Sequence, residues 1–324
     1  MELSSCLELQ SLSSLAKLRF LESLRLHDLP NLEYIESYSA KDMMLGSSVE
    51  GLQIFPRLVF IALYSLPNLK GWFTPLGETV SDDNQISSNK ESQHSSLLFP
   101  VLKYLVITNC PELTSFPNCL KLTDLTLCLF NERLRITETP TSPKLEQVTI
   151  DNLTGLQHLL PIQSFQSLTL LTLRFNSEVE SLNDFRQILC DCFSSLQTIE
   201  ISLCSKIRTV FGGLSYLDSL NSLTLGNLPV LNLANEEIDE NNEDESVGLG
   251  SLCHTLRHLH ISYCGALVTF PKWMRKLTSL QQLKVMGCSP VLKERCQNPT
   301  GEDWPNIRHI LSVSITERKY NNLT

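Results

Sequence analysis

The sequence predicts a repeat solenoid of the α/β class, in which short parallel strands stack along one face. Three observations predict it: a recurring template, an apolar L-x-L step inside each copy, and a turn residue at a fixed place after that step. The template L-x-x-L-x-L-x-x-(C/N/L)-x-x-L occurs ten times, and successive copies begin 20 to 44 residues apart. The clearest copies are Leu102-Leu105-Ile107-Cys110-Leu113, Leu196-Ile199-Ile201-Cys204-Ile207, Leu256-Leu259-Ile261-Cys264-Leu267 and Leu280-Leu283-Val285-Cys288-Val291. Other copies begin at Leu21, Leu58, Leu145, Leu168 and Leu220, and a weaker one begins at Leu122.

Each L-x-L step is typical of a short strand, because side chains alternate between the two faces of a strand. Apolar residues at the first, fourth and sixth positions then enter the core, where burial of each is worth about 1.5–3 kcal/mol. A single copy leaves both of its sides open, so the copies are stable only when they stack. The sequence therefore predicts a leucine-rich-repeat solenoid, or horseshoe, with a concave parallel β-sheet and a mostly irregular convex side. One convex helix is expected over Leu182–Phe193, where apolar residues recur at helical spacing.

The ninth template position is where the chain turns out of the strand, and four of the eleven cysteines occupy it: Cys110, Cys204, Cys264 and Cys288. Asn176 fills the same position in another copy. An Asn side chain or a weakly donating thiol can meet backbone carbonyls there. We therefore expect buried structural residues rather than nucleophiles or metal ligands. Without a CxxC pair or a secretory signal, reduced thiols and a cytoplasmic or other intracellular location are expected, the nucleus and the membrane periphery included.

The net charge of −9 argues against a nucleic-acid backbone as the main partner. Much of this charge is local, because residues 236–245 (EEIDENNEDE) carry seven acids and no base. That stretch does not fit a calcium-binding loop, since Asp244 stands where Gly is needed and Gly250 where Glu is needed. It is interpreted as a solvated loop, with contact to a basic partner as the alternative. No segment approaches the roughly 18 apolar residues of a membrane span.

The periodicity divides the chain into three parts. Residues 1–20 hold a partial N-terminal repeat, because Leu3, Cys6 and Leu9 fit the sixth, ninth and twelfth positions. Residues 21–291 hold about ten irregular repeats, interrupted by insertions at 36–54, 74–97 and 235–247. Residues 292–324 form a C-terminal closing segment, with Trp304 placed to cover the last coil. A start inside a repeat indicates a piece of a longer chain or a truncated gene product.

Several segments of the sequence resemble the repeats of a known family. They are Phe55-Pro56-Arg57-Leu58 with Leu66-Pro67-Asn68-Leu69-Lys70-Gly71-Trp72, and Phe99-Pro100-Val101-Leu102 with Cys110-Pro111-Glu112-Leu113. The most specific are Gly287-Cys288-Ser289-Pro290, Leu292-Lys293-Glu294-Arg295-Cys296 and Gly301-Glu302-Asp303-Trp304-Pro305-Asn306-Ile307. They resemble the repeats of plant nucleotide-binding leucine-rich-repeat immune receptors of the coiled-coil class, disease resistance proteins known as NLRs.

The resemblance implies a repeat domain that recognises pathogen effectors, or host proteins that the effectors modify, in the defence response. In that family the repeat domain also holds the receptor's nucleotide-binding domain inactive, so that domain is a third expected partner. The chain departs from the family in having no GxxxxGK[ST] phosphate loop. ATP or ADP binding is therefore not expected here, and no cofactor is.

The variable positions that flank the strand leucines face the concave surface, so a partner is expected to dock there. One candidate cluster is aromatic, the residue class enriched at interface hot spots: Phe60, Tyr64 and Tyr104. The other candidates are Arg174, Glu200 and a basic end made by His258, His260 and Lys284. Two alternatives stand beside these. The aromatic residues could pack under the 74–97 insertion, and the two histidines could join Cys253 and His254 at a zinc ion, although their spacing matches no closed four-ligand pattern.

Other function classes fit the sequence less well. A substrate adaptor of the F-box leucine-rich-repeat kind also uses Cys at the ninth position, but it needs an N-terminal helical domain and more even repeats. An extracellular receptor is permitted by two sequons, at Asn152 and Asn322, and disfavoured by the missing signal peptide. An enzyme is not expected, because no nucleophile elbow, HExxH motif or Gly-rich phosphate loop frames the polar residues.

Overall fold

The structure is a computed structural model that describes residues 1–10, 12, 15, 18–36, 55–73, 99–116, 119–131, 133–136, 142–153, 155, 159–236, 238 and 248–317. The chain forms two compact units. The first unit comprises Met1–Leu145 with His158–Ser164, and the second comprises Glu146–Gln157 with Phe165–Thr324. The predicted insertion at 74–97 lies outside the described residues, as do nearly all of those at 36–54 and 235–247.

The first unit is built on a parallel ladder of short strands. Its strands are β1 (Glu2–Ser4), β2 (Ser23–His27), β3 (Tyr34–Glu36), β4 (Phe60–Tyr64), β5 (Gly71–Phe73), β6 (Tyr104–Cys110), β7 (Ser115–Phe116), β8 (Asp124–Phe130) and β9 (Arg135–Ile136). Strands β1, β2, β4, β6 and β8 pair side by side in that order, all parallel. Two short parallel pairs, β3 with β5 and β7 with β9, form where the chain leaves the main ladder.

The second unit continues the same design with seven parallel strands in sequence order. They are β10 (Gln147–Ile150), β11 (Leu170–Arg174), β12 (Thr198–Ser202), β13 (Ser222–Gly226), β14 (His258–Ser262), β15 (Gln282–Cys288) and β16 (Ser312–Glu317). Its helices are α1 (Arg186–Cys192), α2 (Phe211–Leu214), α3 (Leu252–Thr255), α4 (Pro290–Arg295) and α5 (Trp304–Ile307). Turns of 3-10 helix occupy Ile162–Phe165, Leu182–Phe185, Leu233–Asn235 and Lys272–Lys276.

The strand register places equal template positions side by side, which confirms the leucine-rich-repeat solenoid fold. All ten predicted repeats supply a strand, and β1 and β16 add two more. Leucines at the fourth and sixth positions face the core. Leu105 and Leu223, for example, are fully buried. The convex side is mostly irregular, and the predicted helix over Leu182–Phe193 is present as a 3-10 turn, capped by the Ser181 hydroxyl, that runs into α1.

The ninth-position cysteines are buried, as the sequence predicts: Cys110, Cys204, Cys264 and Cys288 are at most 3% exposed. The thiol of Cys204 donates to the carbonyl oxygens of Ser202 at 3.3 Å and Leu173 at 3.9 Å. Asn176 uses both ends of its amide. Its Nδ2 donates to the carbonyl of Asp151 at 2.5 Å, and its Oδ1 accepts from the backbone amide of Val179 at 2.7 Å. At Cys110, Asn176, Cys204 and Cys264, the side chain at the ninth position therefore joins its coil to the one before it.

The eighth template position has a left-handed backbone in ten coils, with φ between 50° and 62°. These residues are Ser5, Asp28, Ser65, Asn109, Leu129, Phe175, Leu203, Asn227, Tyr263 and Gly287. Most of their amides extend the ladder one step past the strand, as when Phe175 N donates to Ser202 O at 3.2 Å and Leu203 N to Gly226 O at 3.0 Å. The turn is thus a fixed part of the repeat, and its backbone is the same whatever the side chain.

The buried side chain of Asp303, which is 3% exposed, binds the closing segment to the preceding coil. Its carboxylate accepts from the Thr269 hydroxyl and the Phe270 amide, both at 2.9 Å, and from the Arg295 guanidinium at 2.8 and 3.0 Å. Strand β16 follows and pairs with β15. Its inward residues Val313 and Ile315 are only half-buried, beside a cavity of about 560 Å³.

Candidate functional site

The first unit gathers three predicted aromatic residues on its sheet face, and we call Phe60, Tyr64 and Tyr104 the aromatic patch. Strands β4 and β6 pair so that Phe60 lies beside Tyr104, one strand spacing away. Tyr64 lies on the same face four residues along β4. Phe60 and Tyr64 are half-buried, and Tyr104 is 42% exposed. The structure therefore brings these three residues together on one surface, as side-chain alternation predicts.

Strand β2 supports the rings from the side. The guanidinium of Arg25 lies over the Phe60 ring, 5.1 Å from its centroid, a cation–π contact. The His27 ring meets Tyr64 edge-on, with centroids 6.0 Å apart, and forms an ion pair with Asp28 at 3.0 Å when protonated. Arg25 and His27 occupy variable positions that flank the strand leucines Leu24 and Leu26, but the sequence alone does not single them out. Only the parallel register of β2 with β4 shows that they contact the aromatic rings.

The floor of the patch is small and apolar. Ala62, between Phe60 and Tyr64, is fully buried and lies beside the half-buried Val106 of β6. Rings that stand around such a floor offer apolar contact area, while the tyrosine hydroxyl supplies a polar end. The arrangement is suited to binding another protein surface through a few anchor residues.

In the second unit, Arg174 and Glu200 lie on neighbouring strands but contact different groups. The Arg174 guanidinium is exposed and lies over the Phe175 ring, 5.1 Å from its centroid. The half-buried Glu200 accepts a long hydrogen bond of 3.5 Å from the Thr172 hydroxyl. The two residues therefore do not form an ion pair with each other. They are separate features of the face, one cationic and one anionic.

The predicted basic end is less basic than its residue types indicate. His260 pairs in register with Lys284, and His258 pairs with Gln282. Burial lowers the pKa of His260, and the nearby Lys284 lowers it further. Its Nε2 is buried without a hydrogen-bond partner in the structure. At neutral pH the imidazole of His260 is therefore uncharged, and Lys284 carries the positive charge of this pair.

The structure does not assemble the alternative zinc site from His258, His260, Cys253 and His254. Cys253 is fully buried on α3, whereas His258 is exposed on β14. No group of three or more His, Cys, Asp or Glu side chains that could hold a metal ion occurs among the residues that the structure describes. Within those residues, no helix has the length and apolar character that a bilayer span requires.

The buried thiols are poor nucleophiles, since only the thiolate reacts or binds metal. Burial raises the pKa of Cys110 and Cys264 to about 11 and that of Cys296 to about 12. The neighbouring backbone hydrogen bonds lower the pKa of Cys110 and Cys264 by less than burial raises it. The cysteines whose side chains the structure describes form no disulfide bond.

No family model matches this chain, and no curated protein sequence matches it. Among solved structures, it is similar to TLR13 in the crystal structure of the TLR13–ssRNA13 complex, with a TM-score of 0.33, 14% identity, and 95% of this chain and 55% of that chain covered. It is also similar to the functional domain of InlJ from Listeria monocytogenes, which includes a cysteine ladder. That match has a TM-score of 0.26 and 13% identity, and covers 84% of this chain and 64% of that chain. This chain thus spans less than two thirds of either protein.

Proposed function

We propose that this chain is the protein-binding leucine-rich-repeat domain of a plant disease resistance receptor of the coiled-coil NLR class. It would bind a pathogen effector, a host protein that effectors modify, or the nucleotide-binding domain of an intact receptor. It would act inside the cell and by binding alone, without catalysis. This family assignment is supported by the sequence segments around Phe55, Phe99 and Gly287 and by the closing motif Gly301–Ile307.

The aromatic patch is the observation that carries the binding proposal. The Phe60 and Tyr64 rings are held by Arg25 and His27 and stay partly exposed, so these two rings are ordered before a partner arrives. Ordered anchors lose little side-chain entropy on binding. A protein is favoured over a nucleic acid because the chain has a net charge of −9. The alternative cover for the rings, residues 74–97, lies outside the described residues.

The binding proposal is tested by a quantitative pull-down from plant extract with the wild-type chain and with the triple variant Phe60→Ala, Tyr64→Ala, Tyr104→Ala. We expect at least one enriched protein to be lost with the triple variant. The matched control is Phe20→Ala, an exposed ring of the same unit (77% exposed) outside the patch. If every partner is retained by the triple variant, or is lost equally with the control, the patch is not the binding site.

The family assignment is tested separately, by sequencing the transcript upstream of the codon for Met1. An in-frame phosphate-loop sequence GxxxxGK[ST] would support the receptor origin. An F-box would instead assign the chain to the substrate adaptors of ubiquitin ligases, the second candidate, whose repeats also carry ninth-position cysteines. A secretory signal would contradict both intracellular functions.

A further inference from the structure

The left-handed eighth template position is filled differently in the two units. In the first unit four of its five residues are small and polar: Ser5, Asp28, Ser65 and Asn109, with Leu129 as the fifth. In the second unit the same position holds Phe175, Leu203, Asn227, Tyr263 and Gly287. The turn therefore accepts Ser, Asp, Asn or Gly, and its backbone geometry does not call for a large apolar side chain.

Large apolar residues are unfavourable at this position for two reasons. A left-handed backbone is strained for residues with a bulky side chain and favours Gly, Asn and Asp. The side chains are also exposed to water, Phe175 by 54%, Leu203 by 39% and Tyr263 by 49%. The fold therefore gains only part of the burial that these side chains could supply. Backbone strain that the fold does not need is a sign of function, and grouped apolar exposure marks interaction surfaces.

The three side chains form one row, which we call the apolar rim: Phe175, Leu203 and Tyr263. The ladder hydrogen bonds fix their order, because each amide of the row donates to a carbonyl at or near the end of the next strand. Phe175 and Leu203 are therefore neighbours, about one strand spacing of 4.8 Å apart. Tyr263 lies two strands beyond Leu203, and the shorter side chain of Asn227 leaves a gap between them.

Beyond Tyr263 the rim opens into a slot. The Tyr263 ring lies across Gly287, where an added Cβ would come within 2.6 Å of the ring. The slot has a volume of about 390 Å³, and these two residues line it together with Pro229, Gly265, Cys288, Ser289 and Pro290. The Tyr263 ring and the two prolines give the slot apolar sides, which suit it to contact with an apolar side chain of a partner.

Positive charge borders the other end of the row. Arg174 precedes Phe175, and its exposed guanidinium lies over the Phe175 ring. No carboxylate of the described residues forms an ion pair with it. A partner that contacts Phe175 would therefore gain from an acidic side chain next to its apolar one.

We propose that the apolar rim binds an amphipathic helix of a partner protein, with acidic residues beside its apolar stripe. A helix that lies along the stacking direction presents a turn about every 5.4 Å, close to the strand spacing of about 4.8 Å. Its apolar side chains can then fall on both sides of Leu203, into the gap at Asn227 and into the slot beside Tyr263. A carboxylate at the first turn meets Arg174. This surface is separate from the aromatic patch and does not depend on the function proposed above.

The test uses the full chain and a fluorescent synthetic helix of about four turns, with leucines at helical spacing along one stripe and glutamates beside them. A peptide of the same composition with shuffled leucines is the comparison. We expect the stripe peptide to bind and the shuffled one to bind at least about tenfold more weakly in fluorescence anisotropy. The triple variant Phe175→Asn, Leu203→Asn, Tyr263→Asn should bind the stripe peptide about thirtyfold more weakly or worse, since central anchors dominate binding. Arg174→Gln should weaken it about threefold, and more at low salt.

The matched control is Leu129→Asn, the same substitution at the same template position of the first unit, which should leave peptide binding unchanged. Equal binding of both peptides, or binding that the triple variant retains, would overturn the proposal. Self-association of the wild-type chain that the triple variant abolishes would assign the rim to a second copy, and would overturn it too.

Thermal unfolding gives a second readout that needs no ligand. If Phe175 and Leu203 are displayed for a partner, replacing each by Asn relieves backbone strain and should leave Tm unchanged or raise it by a few degrees. A fall of several degrees for either variant would show that the side chain supports the fold, and the proposal would fail.

Discussion

The two units fill the same template positions with different chemistry. On the sheet face of the first unit the aromatic patch presents three rings. At the equivalent third and seventh positions, the central strands of the second unit carry mostly hydroxyl groups: Thr198, Ser202, Ser222 and Ser262. The backbone register is regular across the strands compared, so the difference between the two faces lies in the side chains. A shared repeat therefore leaves the binding chemistry of each face free to vary.

The convex sides of the two units differ as well. In the first unit, apolar rings pack against one another: Phe55 stacks on Phe99 with centroids 5.9 Å apart, and Trp72 meets Phe99 edge-on at 5.6 Å. Among the described residues, the buried carboxylates all lie in the second unit: Asp151, Glu236 and Asp303. The second unit also packs rings, Phe165 against Phe193 and Phe211 against Trp273. Its buried carboxylates therefore add charge and hydrogen bonding to the apolar packing that both units share.

The largest effect is expected from Asp303→Ala, which removes the acceptor for four hydrogen bonds at the start of α5. The Phe270 amide would stay buried without a partner, and Arg295 would lose its buried carboxylate. We expect a loss of about 3 kcal/mol in the free energy of unfolding, since breaking a buried ion pair leaves uncompensated groups. Urea unfolding followed by tryptophan fluorescence in a Trp72→Phe background measures the second unit, which contains Trp273 and Trp304.

Glu302→Ala is the matched control, because Glu302 also forms an ion pair with Arg295 but its side chain is 74% exposed. An exposed ion pair contributes little, so we expect a change of no more than about 0.5 kcal/mol. If the two variants lost equal stability, the burial of the Asp303 carboxylate would not explain its effect. The contrast between the convex sides of the two units would then not hold.

A smaller effect is expected at Glu236, which joins two coils of the second unit. Its carboxylate accepts from the backbone amides of Val210 at 2.5 Å, Phe211 at 3.1 Å and Gly212 at 3.4 Å. Glu236→Ala leaves two of these amides buried without an acceptor and should lower the free energy of unfolding by about 2 kcal/mol.

The pH dependence of Glu236 has a definite sign. Burial raises the pKa of its carboxyl above the ordinary value of 4.5, against the opposing effect of the three amides. The folded chain then holds this proton more tightly than the unfolded chain does. The resulting stabilisation is complete below about pH 4.3 and is lost as the pH rises through the folded-state pKa. The free energy of unfolding of the wild type, relative to Glu236→Gln, should therefore fall as pH rises from 4 towards 7. If this relative free energy of unfolding instead rose over that range, the amide hydrogen bonds would lower the pKa of Glu236 by more than burial raises it.

Much of the fold could be predicted from the sequence because the repeat is a local pattern. The template located ten strands, the buried ninth-position cysteines and the helix after Ser181. Strand β16 was not foreseen. Ile310, Val313 and Ile315 fit the first, fourth and sixth positions, but polar residues surround them and the pattern is incomplete. The β3–β5 and β7–β9 pairs were also missed, since such short strands form only through contact between coils.

The side chains that depend on a neighbouring coil were the hardest to predict. Glu236 begins a stretch interpreted as a solvated acidic loop, yet it is only 7% exposed, because the helix start at Phe211 offers amides to its carboxylate. Alternation along a strand predicts which residues lie on the face, so the aromatic patch was found. It gives no distance between coils, so the contacts of Arg25 with Phe60 and of Arg174 with Phe175 needed the structure.

The smallest effect on stability is expected from Tyr104→Thr, which gives the first face the hydroxyl chemistry of the second. Tyr104 is 42% exposed and Thr is a good strand residue, so the free energy of unfolding should change by no more than about 0.5 kcal/mol. Leu105→Ala, at the next position and fully buried, should cost about 2–5 kcal/mol and shows that the measurement is sensitive. If Tyr104→Thr were as destabilising as Leu105→Ala, the ring would be part of the packing and the face would not be free for a partner. A stable variant that loses a partner would instead separate binding from stability at adjacent residues of one strand.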